Sequence, residues 1–167
     1  MGAPEKLADM MKRLARMIPG IGTYQDREAR RDTDKRFRVW LADQMDEERR
    51  RIRPAKEGEG RLGRLENLDD LDRLERTMQK VADSIRFASY GYGGLFDHVR
   101  IDDEKLSEMY RYDLALADEL EVIRNGLNGL ASEVSPDAIQ KIRDAVDLLD
   151  QKMRERSAIS QRVHEKG

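Results

Sequence analysis

Apolar residues recur along this chain at spacings of three and four, the period of an α-helix. Between Pro4 and Ile18, the side chains of Leu7, Met10, Met11, Leu14, Met17 and Ile18 share one face, and Lys6, Asp9, Lys12, Arg13 and Arg16 take the other. Pro4 suits a first helical position, where its missing N–H is not needed. Pro19-Gly20-Ile21-Gly22 ends this short amphipathic helix. Thr23-Tyr24-Gln25-Asp26 then resembles a capping box, with Asp where Glu is best. A second helix is predicted from there to Arg53, just before Pro54. Its apolar stripe is thin: Phe37, Trp40, Leu41, Met45 and Ile52. Its surface carries acid-first i,i+4 pairs, among them Asp32–Arg36 and Asp34–Arg38, so it reads as largely solvated. Residues 54–63, with one proline and three glycines, read as a flexible linker.

The pattern is cleaner in the rest of the chain. Leu71, Leu74, Met78, Val81, Ile85 and Ala88 form a heptad seam on a third helix over 65–89. Leu106, Met109, Asp113, Leu116, Leu120, Ile123, Leu127 and Leu130 form another on a fourth helix, 103–130, capped by Asp102 or Asp103. Asn125-Gly126 and Asn128-Gly129 offer two early stopping points. Ser135-Pro136-Asp137 starts a fifth helix, 136–163, with Ile139, Ile142, Val146, Leu149 and Met153 on its seam. Arg156 and Ser160 occupy the next seam positions, so the pattern decays and the tail is expected to fray.

Helices two to five would span about 45, 38, 43 and 40 Å at 1.5 Å per residue. Near-equal lengths and short links favour antiparallel packing. The expected fold is all-α: an antiparallel helical bundle, or coiled-coil hairpins of long helices, preceded by a short amphipathic helix. The division is residues 1–22 for that helix and its Pro-Gly break, and 23–167 for the bundle.

Composition narrows the function. Charged residues are 40% and hydrophobic residues 38% of the 167, against about 25% and 45–50% in an ordinary soluble domain. The core must be narrow, and helices polar around most of their circumference fit this balance. A net charge of −2 disfavours a basic nucleic-acid binder. The absence of cysteine excludes disulfides, thiolate metal sites and cysteine nucleophiles. No 18-residue apolar stretch and no secretory pattern is present, which makes the cytoplasm the expected location.

Chemical candidates are few. His98 and His164 lack the Glu three residues earlier that a bundle di-iron site requires; Leu95 and Gln161 stand there instead. Asp97, His98, Asp102 and Asp103 read as helix-start residues rather than as ligands, so no metal or cofactor is expected. The segment from Phe87 to Phe96 holds four of the nine aromatic residues and three of the twelve glycines. Without a Gly-Lys-Ser/Thr sequence it is not a phosphate loop. Tyr90, Tyr92, Leu95 and Phe96 therefore read as a packed turn at the bundle end, and as a surface that docks another protein chain. Asp113 is the one charge in the middle of a seam. It reads as a buried carboxylate satisfied by an arginine or a tyrosine, with a catalytic acid as the sharper alternative. Arg49-Arg50-Arg51-Ile52-Arg53 follows Asp46-Glu47-Glu48 and reads as the positive end of a salt-bridged helix.

The first helix has several readings. Leu7, Met10, Met11 and Leu14 could pack on the bundle, on a second copy, on a protein partner or on a membrane surface. A short amphipathic start followed by long charged helices loosely resembles membrane-remodelling phage-shock and ESCRT-III proteins. That resemblance is architectural and implies a membrane-surface assembly role, without assigning any residue a task. The expected function is a non-enzymatic scaffold, adaptor or regulatory subunit that binds protein, with self-association included. The alternatives are a membrane-surface assembly protein using residues 4–18, and a ligand-binding or enzymatic site near 90–103 and Asp113.

Overall fold

A computed structural model describes residues 5–26, 29–88 and 102–165, with side chains through residue 158. Among these the elements are α1 (Leu7–Met17), α2 (Arg30–Arg49), α3 (Ile52–Arg61), α4 (Leu65–Phe87), α5 (Asp103–Gly129) and α6 (Pro136–Glu165), with no strand. The fold is an all-α antiparallel bundle with a short N-terminal helix. Cross-helix pairs set the directions. Asp113 meets Arg156, Glu119 meets Lys152 and Gly126 meets Ile142, so α6 runs back along α5. Likewise Arg38 reaches Ile85 while Arg49 faces Glu75, so α4 runs back along α2. In addition α6 packs on α4, α2 on α5, and α1 on α5.

The seams form the core. Leu71, Leu74, Met78, Val81 and Ile85 of α4 are buried, as are Leu106, Met109, Leu116, Leu120, Ile123 and Leu127 of α5. Ile139, Ile142, Val146, Leu149 and Met153 of α6 join them. The caps of the last two helices also lie where the residue types place them. The Lys105 N–H donates to Asp102 Oδ1 at 2.9 Å, and the Ala138 N–H donates to Ser135 Oγ at 3.1 Å. Helix α5 passes the first Asn-Gly pair and ends at the second, at Gly129.

Four features differ from the sequence reading. First, the second helix begins at Arg30, not at Thr23. The Thr23 hydroxyl accepts the Gln25 N–H at 3.1 Å, a local turn that competes with a helix cap. Second, α2 is not solvated. Arg30, Thr33, Asp34, Arg38 and Glu48 are buried on it beside Phe37, Leu41, Ala42 and Met45.

Third, residues 54–63 are not a linker, because α3 occupies Ile52–Arg61. Pro54 sits in its first turn, where its missing N–H has no intrahelical partner. A proline ring clashes with the carbonyl four residues earlier, here Arg50, and the break between α2 and α3 falls at that position. At the far end Gly63 has φ +69°, the Arg64 N–H donates to the Glu59 carbonyl at 3.0 Å, and the Gly63 N–H donates to the Gly60 carbonyl at 3.2 Å. That is a Schellman closure, which needs a residue tolerant of positive φ. Lys56 holds α3 to α4 through Asp72 at 2.5 Å and Glu75 at 2.7 Å. Fourth, the seam of α6 does not decay at Arg156, which is buried; the helix itself runs to Glu165, close to the expected 163.

The helical glycines separate into two kinds. A Cβ on Gly60 would meet nothing within 4 Å, whereas a Cβ on Gly126 would lie 2.7 Å from Ile142 Cγ1. Gly60→Ala should therefore stabilise the chain by about 0.5–1 kcal/mol, the ordinary helix gain. Gly126→Ala should instead destabilise it by about 1–3 kcal/mol by wedging α5 from α6. Parallel urea titrations of the two variants check the sign. A stabilised Gly126→Ala would show that α5 and α6 approach less closely there.

Candidate functional site

Two places hold polar side chains in an unusual arrangement: a buried ionic cluster and an open cleft.

The cluster is built on Arg156 of α6. Its Nε donates to Asp113 Oδ1 at 2.6 Å, its Nη1 to Asp34 Oδ1 at 2.6 Å, and its Nη2 to the Tyr24 hydroxyl at 2.8 Å. Its guanidinium carbon lies 5.1 Å from the Phe37 ring centroid. Arg38 donates to Asp34 Oδ2 at 2.9 Å, one turn along α2. The Tyr24 hydroxyl donates to Asp113 Oδ2 at 2.6 Å. Two arginines thus face two aspartates, and the cluster is close to neutral. It joins α2, α5, α6 and the segment before α2.

Its electrostatics follow from burial and pairing. Burial opposes ionisation of Asp34, but Arg156 and Arg38 outweigh it and hold the carboxyl below its ordinary value. Asp113 is more deeply enclosed. Burial raises its pKa, and Arg156 with the Tyr24 hydroxyl offsets only part of that. Burial and the Asp113 charge raise the Tyr24 phenol well above its usual range, so it remains a donor. Arg156 stays a cation: desolvation disfavours its charge, but Asp113, Tyr24 and Asp34 prevail. Each oxygen of Asp113 has a partner. The arrangement is that of a structural pin, which agrees with the reading of Asp113 as a buried carboxylate satisfied by an arginine or a tyrosine; it has both.

A second ionic node ties α2 to α5. Glu48 is buried, and Arg124 Nε donates to its Oε1 at 2.6 Å. Its other oxygen pairs with Arg51 Nε at 2.9 Å, and Arg51 also reaches the Asn128 side chain.

Arg51 leads into the cleft. An open cavity of about 710 Å³ lies between α3 and the turn from α5 to α6. Its apolar wall includes Pro54, Ala55, Leu62, Leu127, Leu130 and Val134. Arg51, Arg64, Glu59 and Glu133 supply its charges, two of each sign. Glu59 is buried and accepts from Asn67 Nδ2 at 2.8 Å. Leu62 is 64% exposed at this cleft, and Leu65, just beyond it, is 66% exposed.

No family model, curated protein or solved structure matches the chain.

The residues singled out from sequence are distributed as follows. Met10 and Leu14 are buried against the bundle, with Leu7 and Met11 half-buried beside them, and α1 packs on α5 of its own chain. Tyr90, Tyr92, Leu95 and Phe96 lie outside the described residues, as does His98. Among the described residues no group of three or more His, Asp or Glu is placed to hold a metal ion. Among them, too, no helix is long and apolar enough to cross a membrane.

Sequence reasoning did not name Tyr24 and Arg156 as the partners of Asp113, nor Asp34 and Arg38 as the rest of its cluster. One signal was present. Asp113 and Arg156 are opposite charges on the seams of two consecutive helices, at positions that an antiparallel hairpin brings level. The cleft has no signal in the sequence, because residues 54–63 read as a linker.

Proposed function

We propose that the chain is a non-enzymatic helical module that binds another protein, as a scaffold, adaptor or regulatory subunit, and that it works in the cytoplasm. The observation that carries this reading is the cleft beside α3, with an apolar wall, Leu62 left in water on its lining and Leu65 left in water just beyond it. Exposed leucines adjoining an apolar concavity are characteristic of a surface that receives a partner's apolar side chains. The cleft's charges balance, so the partner is recognised by apolar burial more than by net charge. A short amphipathic segment carrying two or three apolar anchors fits its size.

The membrane-surface alternative relies on the apolar face of α1, which α5 covers in this fold. The enzymatic alternative relies on residues 90–103, beyond those described apart from 102 and 103, and on Asp113, both of whose oxygens are engaged.

The test pairs stability with capture. Leu62→Glu combined with Leu65→Glu alters two exposed side chains and should leave the melting temperature nearly unchanged. It should abolish recovery of the protein that the unaltered chain captures from its host. Val122→Glu, a change at another exposed apolar position, on α5, should leave that recovery intact. Undiminished capture by the double variant at normal stability would overturn the assignment of the cleft.

A further inference from the structure

The segment leading from α1 toward α2 is attached to the bundle in an unusual way. Tyr24 is completely buried, although its neighbours Thr23 and Gln25 are not. Its ring lies on Tyr110 at 5.1 Å between centroids. The Tyr24 N–H donates to the Tyr110 hydroxyl at 3.2 Å, and its carbonyl accepts from Arg30 Nε at 2.6 Å. Its own hydroxyl sits between Asp113 and Arg156. Every polar atom of Tyr24 is therefore fastened.

The helix it follows is held more lightly. With 11 residues, α1 has no side-chain N-cap bond. Isolated helices of that length are marginal in water, so α1 is helical because it is docked. It docks chiefly on α5, through Met10, Leu14 and Ile18, with Leu7 and Met11 half-covered. Arg13 approaches Asp118 only at 4.0 Å, between two exposed side chains, which adds little. A Pro19-Gly20 turn with φ +80° at Gly20 separates α1 from the Tyr24 anchor.

We propose that α1 is a detachable arm and that Tyr24 is the latch that holds it on the bundle. The pin between Arg156, Asp34 and Arg38 joins α2 to α6 without Tyr24, so releasing the latch leaves the bundle paired. Lifting the segment lets water reach Asp113, whose Oδ2 then needs no phenol. Local opening thus relieves the loss of the Tyr24 hydroxyl at less cost than unfolding the bundle. The opened form bares Leu7, Met10, Met11 and Leu14 together with the strip of α5 they cover. Three of the five large apolar side chains of this helix are methionines, a composition that adapts to changing contacts. Because Arg156 lies on α6, the end of that helix and the arm share one control point. This inference does not depend on the cleft.

The lack of cysteine supplies a direct probe. Met10→Cys places a lone thiol under the arm, and Ala82→Cys places one in α4, at a fully buried position. Each is made with and without Tyr24→Phe, and reaction with a small thiol reagent is timed under native conditions. Tyr24→Phe should speed labelling at position 10 by about tenfold or more, the loss of a neutral hydroxyl's hydrogen bonds to charged groups. Labelling at position 82 should change less than about twofold, within the range of experimental scatter. An unchanged rate at position 10, or equal acceleration at both positions, would overturn the proposal. If Tyr24→Phe loses its helical circular dichroism, Tyr110→Phe decides on the same two rates, since it leaves the ionic cluster intact and removes the acceptor of the Tyr24 N–H together with a long donation to Thr23 Oγ1 at 3.4 Å, both within the latch. A selective rise at position 10 then supports the latch, and no selective rise refutes it.

Discussion

Arg156→Ala should destabilise the chain by about 3–5 kcal/mol, the range for removing one partner of a buried ion pair. The variant leaves Asp113 fully enclosed with only the Tyr24 hydroxyl against it, and leaves Asp34 with Arg38 alone. It also deletes the cation over the Phe37 ring and opens a void between α2, α5 and α6. Arg156→Lys should recover little. One ammonium cannot place separate donors on Asp34, Asp113 and Tyr24 in the fixed geometry that a guanidinium provides. Urea unfolding followed by circular dichroism measures both losses. A change below about 1 kcal/mol for Arg156→Ala, the level of an exposed pair, would mean that water reaches the cluster and that it is not a pin.

The second large effect lies in the apolar seam. Val81→Asp should cost several kcal/mol, because it places a carboxylate in a buried apolar seam. Val81 is 5% exposed, midway along α4 between Met78 and Ile85, both buried. Val122→Asp is the control. Val122 is 54% exposed on α5, and the same change there should stay within about 0.5 kcal/mol. Thermal melts of the two variants compare one chemistry in two environments. An unchanged melting temperature for Val81→Asp would remove the α4 seam from the core.

The burial of these residues shows which signals a sequence carries. An alternation of three and four depends only on local helical geometry, so the seams of α4, α5 and α6 could be read residue by residue. The caps at Asp102 and Ser135 are local in the same sense. Their bonds reach three residues ahead. Asp113 stands out because it breaks a local pattern; an arginine or a tyrosine is expected beside it, and it has one of each.

What escaped the sequence depended on contacts between distant residues. Pro54, Gly58 and Gly60 make a weak local case for a helix, and α3 forms because Ile52 is buried and Lys56 binds two carboxylates of α4. Likewise α2 looked solvated because Arg30, Asp34, Arg38 and Glu48 count as polar wherever they occur. Their burial required partners 76 residues away for Glu48 and 122 residues away for Asp34. Arg156 looked like the end of a seam and is instead its deepest cation. The apolar period is a property of single helices, and it determined that this chain is a bundle. Which charges lie inside that bundle was decided only when the helices met, because a buried charge is tolerable only beside a counter-charge that the tertiary structure supplies.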